Sequence, residues 1–548
     1  MRCCKLNSRK SSNLFSIFAI IVALSMLIMG CSQGDKANSQ NNVNTQDTSH
    51  ANTMTLSWNK DIGPLNPHMY APNEWFAQAM VYESLVQYVE GGKIEPALAE
   101  SWDISKDGKE YTFHLRQGVK FSDGSDFNSN IAKKNLDAIL ANANKHDWLE
   151  LINQMKSVEA VDDYTLKISF KNPYYPVLQE LALIRPVRFL GEAGFPDSGN
   201  NTEEIKKPIG TGPWVLSEYK KDEYATFTRN ENYWGEKPKL EKVVVKIIPD
   251  GETRVLAFEK GELDLIFGTG LISLDSFKSL KESGKYEAKF SEPLSTRVLA
   301  VNSNKGATKD LKVRQALQYG LNKQALIDNL FYGFEKKADT LFAPNFPYSN
   351  LGLKPMDYDI EKAKQLLDES GWKLSDGKQM REKDGKPLEL DFAYVSDDNV
   401  QKAVAEAMQG EYSKLGIKVN LVGSEYQSHV KKQKNGEFNL IFSETWGAPY
   451  DPHSLVATMR HPSHGDYQAQ LGLPMKKEID QKINEVLIST DEKTRQDLYK
   501  YILGTLHEQA VYLPISYISN IAVYQKNVSG VTFTPQQYEV PLQDIEIK

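Results

Sequence analysis

The 548-residue sequence predicts an α/β protein built from more than one lobe. Three observations carry this expectation. The chain is longer than the roughly 250–300 residues at which a single hydrophobic core stops growing. Strand-like and helix-like stretches alternate along it, without the period of about 20–50 residues that marks a solenoid. Hydrophobic residues make up 40% and charged residues 25% of the sequence, values of packed domains rather than of a disordered chain.

The N-terminus stands apart from this body. Arg2, Lys5, Arg9 and Lys10 precede "LFSIFAIIVALSMLIMG", an uncharged apolar run from Leu14 to Gly30. The run approaches the roughly 17–25 residues needed to cross a bilayer core, so an uncleaved signal anchor is one reading. Small Gly30 directly before Cys31 favours another: "IMGC" resembles a bacterial lipoprotein box, which implies cleavage before Cys31 and lipidation of its sulfur. Residues 1–30 are thus expected to be a lipoprotein signal peptide. Residues 31–53 then form a tether, because "SQGDKANSQNNVNTQDTSHANT" has too little apolar surface to offset the entropy of ordering. About twenty flexible residues reach roughly 25 Å. The expected location is the extracytoplasmic face of the cell membrane, with the lipid as anchor.

Cysteine usage and charge narrow the chemistry. Cys3, Cys4 and Cys31 are the only cysteines, so a disulfide framework and a thiol nucleophile are excluded from the body, and N and O ligands remain for any metal. Loss of the four basic residues of the signal segment leaves 61 Lys and Arg against 72 Asp and Glu, a charge of −11. That balance argues against nucleic acid and against electrostatic adhesion to anionic lipid.

Along the body, β-branched and aromatic content marks strands at "MTLSWN" (Met54), "YTFHLR" (Tyr111), "YTLKISF" (Tyr164), "KVVVKIIP" (Lys242), "VLAVNS" (Val298), "LELDFAYV" (Leu388), "KVNLVG" (Lys418) and "FNLIFSE" (Phe438). A helical pattern runs from Leu311 to Gly333, broken near Gly320 to Asn322. A second runs from Asp359 to Trp372: Asp359 can cap it, Ala363, Leu366 and Leu367 form its apolar stripe, and Gly371 ends it. From 388 to 444 the order strand, helix (399–415), strand, helix, strand suggests a parallel sheet. Such sheets bind ligands beyond the carboxyl ends of their strands.

"TWGAPYDPHSLVATMRHPSHGDY" begins where the last of these strands ends, so Trp446, Tyr450, His453, His461 and His464 fall where a ligand site is expected. Nine histidines serve the whole chain and three lie here, which raises a metal site. Each also has a structural reading: His461 and His464 as solvated loop residues, His453 as a hydrogen-bonding partner of its loop. His68 and His146 are equally open. Neither "HExxH", "GxSxG" nor a Walker loop occurs, so no enzyme is expected; the clustered histidines alone suggest a metal-dependent hydrolase.

Four separated stretches carry a family resemblance: "IEPALAESWDISKDGKEYTFHLRQGVKFSDGSDF" (Ile94), "PIGTGPW" (Pro208), "RNENYWGEKP" (Arg229) and "VRQALQYGLNKQALIDNLFYG" (Val313). They resemble the extracytoplasmic solute-binding proteins of ABC importers, in the class that serves peptides and nickel. "GPLNPHMYAPN", "HDWLEL", "YYPVLQELALIRPVRF", "DTLFAP" and "TWGAPYDPH" are similar to its nickel-binding members. The resemblance implies a two-lobe periplasmic-binding-protein-like fold with the ligand cleft between lobes. Lobe I would span 54–294, with an inserted subdomain at about 93–216 and a C-terminal return at 519–548; lobe II would span 295–518.

Carried over residue by residue, the family's pocket falls on Trp148, Arg185, Trp446, Tyr450 and His464, with His464 at the position of the histidine that bonds the metal directly. Four pocket positions depart from the family: Trp75 stands for a methionine, Lys145 for an arginine, Val430 for a tyrosine and Tyr538 for a threonine. His461 and His429 are additional metal candidates. The implied cargo is Ni(II) wrapped by a small organic chelator such as free histidine, with no catalytic cofactor. The implied partners are ABC permease subunits with a cytoplasmic ATPase, and the protein is expected to be a monomer. Alternatives within the class are an oligopeptide or dipeptide receptor and a receptor for a larger nicotianamine-like metallophore.

Overall fold

The computed structural model describes residues 52–69, 75–146, 148–198 and 204–548. The expected signal peptide, Cys31 and almost all of the expected tether lie outside the described residues. Among the described residues no helix is long and apolar enough to cross a membrane.

All eight expected strands are present, and they distribute over three sheets. A seven-stranded mixed sheet runs in the order Glu287–Phe290, Ile521–Tyr524, Leu265–Phe267, Thr53–Trp58, Lys242–Ile247, Tyr224–Arg229 and Trp214–Lys220. A six-stranded sheet runs Lys336–Lys337, Tyr512–Ile518, Ser295–Val301, Leu440–Glu444, Glu389–Val395 and Lys418–Ser424. Ala99–Ile104, Glu110–Leu115, Thr165–Phe170 and Met155–Asp162 form a separate four-stranded antiparallel sheet. The chain crosses from the first sheet to the second after Phe290 and returns after Ile518. At the crossings Asn520 N donates to Ser291 Oγ and Ser291 N to Asn520 O, both at 2.9 Å, so the two strands of the junction are bonded side by side.

The parallel unit expected between 388 and 444 is present, with Glu389–Val395 pairing in parallel with both Lys418–Ser424 and Leu440–Glu444. The sheet it joins is mixed, because Ser295–Val301 pairs antiparallel to Leu440–Glu444 and to Tyr512–Ile518. Tyr512–Ile518 escapes a period-two reading: every residue is buried, so no polar face alternates with an apolar one. Its Pro514 lies at the register shift opposite Arg297 and Val298, where an interior strand tolerates a missing N–H.

Helix signals also have visible causes. The pattern from Leu311 breaks into Leu311–Tyr319 and Lys323–Leu330; Asn322 Oδ1 caps the second helix by accepting from Ala325 N at 3.0 Å. Gly320 leaves room there for the side chain of Leu415, whose Cδ1 would stand 2.4 Å from a Cβ. Asp359 caps Ile360–Glu369 through Lys362 N at 2.9 Å, and Gly371 follows it at φ +87°. Ala363 and Leu367 are fully buried on the inner face.

The four-stranded subdomain packs on helices from the second half of the chain. Tyr175 N donates to Leu487 O at 3.0 Å, its hydroxyl meets Tyr499 Oη at 2.6 Å, and Arg495 lies 4.9 Å over its ring. The core is accordingly shared, running from Phe113 and Leu166 through Val177 to Leu455, Ile483 and Tyr499.

Candidate ligand-binding cavity

A cavity of about 640 Å3 opens beyond the carboxyl end of Leu440–Glu444. That volume suits a small-molecule ligand, for which roughly 300–1,000 Å3 is usual. Residues from opposite sides of the junction line it: Trp75, Trp148, Arg185 and Tyr538 from one side, and Arg297, His429, Val430, Glu444, Trp446, Tyr450, His464 and Asp466 from the other.

The loop carrying Trp446 and Tyr450 is fixed by backbone bonds rather than by a regular element. Thr445 Oγ1 accepts from Thr296 N at 2.9 Å, tying the loop to the neighbouring strand. Asp451 Oδ2 accepts from Gly447 N at 2.7 Å and closes the turn. Gly447 sits at φ +77°, and a Cβ there would stand 2.7 Å from Leu294 O. The turn thus requires glycine on two counts. Burial pushes the Asp451 carboxyl up to about 7.

The aromatic walls meet in a chain of ring contacts. Tyr450 lies 6.2 Å from Trp446, 6.4 Å from Trp148 and 6.5 Å from Trp75 between ring centroids. Trp75 meets Tyr538 edge-on at 4.0 Å, and the Arg185 guanidinium lies 4.3 Å over the other partner of that contact, the Trp75 ring. Arg185 is 5% exposed, so its charge is carried inside the cavity wall.

His464 immediately precedes the short helix Gly465–Gln470. Its ring stands edge-on to Trp446 at 5.5 Å and Nδ1 is 3.0 Å from Ser463 Oγ. With Nδ1–H donating to Ser463, the Nε2 lone pair is available to a metal. Burial lowers the His464 pKa, favouring the neutral imidazole, while burial raises that of Asp466, whose Oδ1 accepts from Tyr512 Oη at 2.8 Å. Among the described residues no group of three or more His, Cys, Asp and Glu side chains can hold a metal ion. The cavity therefore offers the His464 and His429 imidazoles, two carboxylates, guanidinium groups and aromatic faces, rather than a closed metal cage.

The sequence model of the bacterial extracellular solute-binding proteins, family 5 (middle), matches residues 93–467. The chain belongs to this family. Within it, the nickel-binding periplasmic protein of Escherichia coli (strain K12) is 48% identical over 494 residues, spanning 90% of this chain and 94% of that one. The crystal structure of NikA from Brucella suis in complex with Fe(III)-EDTA matches at a TM-score of 0.88 and 50% identity, over 90% of this chain and 100% of that chain. NikZ from Campylobacter jejuni in complex with Ni(L-His) matches at 0.74 and 25% identity, over 90% and 99%. The two-lobe architecture of family 5 solute-binding proteins is thus the architecture of this chain.

In this family 5 protein the histidines of the segment 453–464 separate. His464 lines the cavity, His461 is exposed on a turn outside its walls, and His453 is buried with Nε2 3.4 Å from Glu180 Oε1. His429 is buried on the helix Tyr426–Asn435 and reaches the wall beside Val430, with its pKa lowered by burial. His68 is spent on structure: Nε2 lies 3.2 Å from Arg188 O, and burial brings its pKa to about 4. His146 is buried and also stands outside the lining. Lys145 is exposed at the end of the turn Ala143–Lys145 and does not line the cavity.

Sequence reasoning did not single out Arg297, Glu444 or Asp466. Arg297 pairs with buried Glu335 at 3.0 Å; burial opposes its charge, but Glu335 and Glu444 hold its pKa above the ordinary value. Glu444 could have been found, as the last residue of "FNLIFSE", the strand end from which the ligand loop departs. A second and larger cavity, of about 1110 Å3, lies beside Tyr175, Tyr348 and Arg495 and holds none of the candidate residues.

Proposed function

We propose that this protein is the capture component of an ABC importer, binding nickel(II) as a complex with a small organic chelator such as free histidine and passing it to the permease. The observation that carries this reading is the convergence of His464, Arg185, Trp75, Trp148, Trp446 and Tyr450 on one cavity. A neutral imidazole suits Ni(II), and a single protein donor leaves the other coordination positions to the chelator. Affinity among divalent metals rises toward copper whatever the site, so discrimination has to come from the shape and charge of the whole complex. The Arg185 fork suits a chelator carboxylate, and the aromatic faces suit its apolar flanks. Relatives named for nickel and for Ni(L-His) support the same cargo.

The metal in this reading is cargo, and the protein binds without catalysing. Residues 54–294 with the insert 93–216 and the return 519–548 act as lobe I, and 295–518 as lobe II; the bonded crossings at Ser291 and Asn520 support a hinge there. A ligand touching both lobes binds the closed arrangement better and shifts the population toward it, by about 1.4 kcal/mol for each tenfold preference. A lipid on Cys31 holds the monomer at the outer face of the membrane, and an ATPase supplies energy from the cytoplasm.

Calorimetric titration with nickel and excess L-histidine is expected to give saturable one-to-one binding. His464→Ala should weaken it at least tenfold. Wild-type protein that takes up no nickel complex would overturn the reading.

A further inference from the structure

Glu444 ends the strand Leu440–Glu444 with its side chain exposed, and that residue lines the ligand cavity. The other carboxylate of the lining, Asp466, is buried and accepts from Tyr512 Oη at 2.8 Å, whereas Glu444 is exposed. Its register partner is Arg297, but the Arg297 guanidinium is engaged by Glu335 at 3.0 Å, and Glu335 takes a further hydrogen bond from Ser516 Oγ. Glu444 itself accepts one hydrogen bond, from Ser295 Oγ to Oε1 at 3.0 Å. Among the described residues Oε2 receives none. The wall therefore presents a carboxylate that is held in place by one oxygen and offers the other to the cavity.

We infer that Glu444 is the specificity-determining residue that recognises amine N–H groups of the chelator, so that the cavity selects α-amino-acid-type chelators over chelators whose nitrogens carry no hydrogen. The inference rests on the metal-chelate reading of the cavity. A carboxylate is an acceptor only, and it binds N–H donors best when they are polarised. An amine bound to Ni(II) is such a donor: its lone pair is given to the metal, and its remaining hydrogens become more acidic. An amino-acid chelator also carries a carboxylate, which suits the Arg185 guanidinium on the same cavity wall. His464, in the same lining, completes the metal's shell. One cavity then reads three features of one complex: anionic oxygen, coordinated amine and open metal position. A fully N-alkylated chelator leaves Oε2 desolvated without a partner, and specificity arises as much from that penalty as from the bond gained.

The test titrates wild type and Glu444→Gln with two nickel complexes, that of L-histidine and that of Nα,Nα-dimethyl-L-histidine, which keeps the donor nitrogen but lacks its hydrogens. Wild type is expected to prefer the histidine complex about tenfold or more. Glu444→Gln is expected to lose most of that preference, binding the histidine complex more weakly and the dimethyl complex at least as well as wild type, which also reports that the variant is folded. A wild type without preference, a variant that keeps the full preference, or an equal loss of both complexes overturns the role of Glu444. Wild type that binds neither nickel complex fails the functional reading itself, a result distinguishable from the other three.

Discussion

The guanidinium of Arg185 lies 4.3 Å over the ring of Trp75, and that ring in turn meets Tyr538 edge-on at 4.0 Å. The stack holds a buried cation on one wall of the cavity with its plane oriented by an aromatic face. Two of its three members, Trp75 and Tyr538, are aromatic. The aromatic pair thus supports Arg185 within the cavity wall.

Arg185→Lys is expected to weaken binding of a carboxylate-bearing nickel chelate by about 1–2 kcal/mol, because lysine keeps the charge but loses the planar fork and the stack. Calorimetry with the same complex checks this. An unchanged affinity in the lysine variant would show that charge alone suffices.

Gly447→Ala places a Cβ at φ +77° and 2.7 Å from Leu294 O. The strain should cost about 1–3 kcal/mol, seen as a lower Tm. Ligand affinity should fall as well, since Trp446 and Tyr450 depart from the same turn. A variant that loses stability but keeps full affinity would separate the turn from the cavity.

The Tyr175 and Tyr499 hydroxyls stand 2.6 Å apart across the contact between the four-stranded subdomain and the helix Glu492–Glu508. Replacing either by Phe strands the other hydroxyl, at a cost of about 1–3 kcal/mol, whereas replacing both removes the need for a partner. Chemical denaturation of the double variant is expected to give a loss smaller than the sum of the single losses. Additive losses would deny the coupling.

Asp451, with its carboxyl pushed up to about 7 by burial, sets a pH dependence. The unfolded chain ionises the same group near its ordinary value of about 3.9, so between about pH 4 and pH 7 the native state binds the extra proton. Stability contributed by the protonated group is therefore lost as pH rises through that window. Asp451→Asn keeps the acceptor for Gly447 N and removes the titration. Melting profiles should show wild type falling below the variant by up to about 4 kcal/mol as pH rises, and meeting it at the acid end. Parallel profiles would refute the shift.

Much of this organisation was legible in the residues. Asp359 and Gly371 mark the ends of one helix because capping and positive φ are local demands, and each is met as read. The strand "FNLIFSE" and the loop after it were readable for the same reason, and the family motifs picked out Trp75, Trp148, Arg185, Trp446, Tyr450 and His464, which all line one cavity. Other features were not legible. Tyr512–Ile518 is buried on both faces, so its pattern carries no period. Lys145 and Trp148 lie three positions apart, yet only Trp148 reaches the cavity, while Lys145 is exposed at the end of the turn Ala143–Lys145.

By itself, the sequence determined the α/β class, the absence of thiols from the body, the local helix ends and the segment in which a ligand site was to be sought, because those depend on residue type and short-range pattern. Only the tertiary structure decided which histidine of the 453–464 segment faces the cavity, that His453 turns instead to Glu180, and that Glu444 and Arg185 line one cavity. These are relationships between residues up to hundreds of positions apart. They arise from packing the two halves of the chain against each other, which no local pattern encodes.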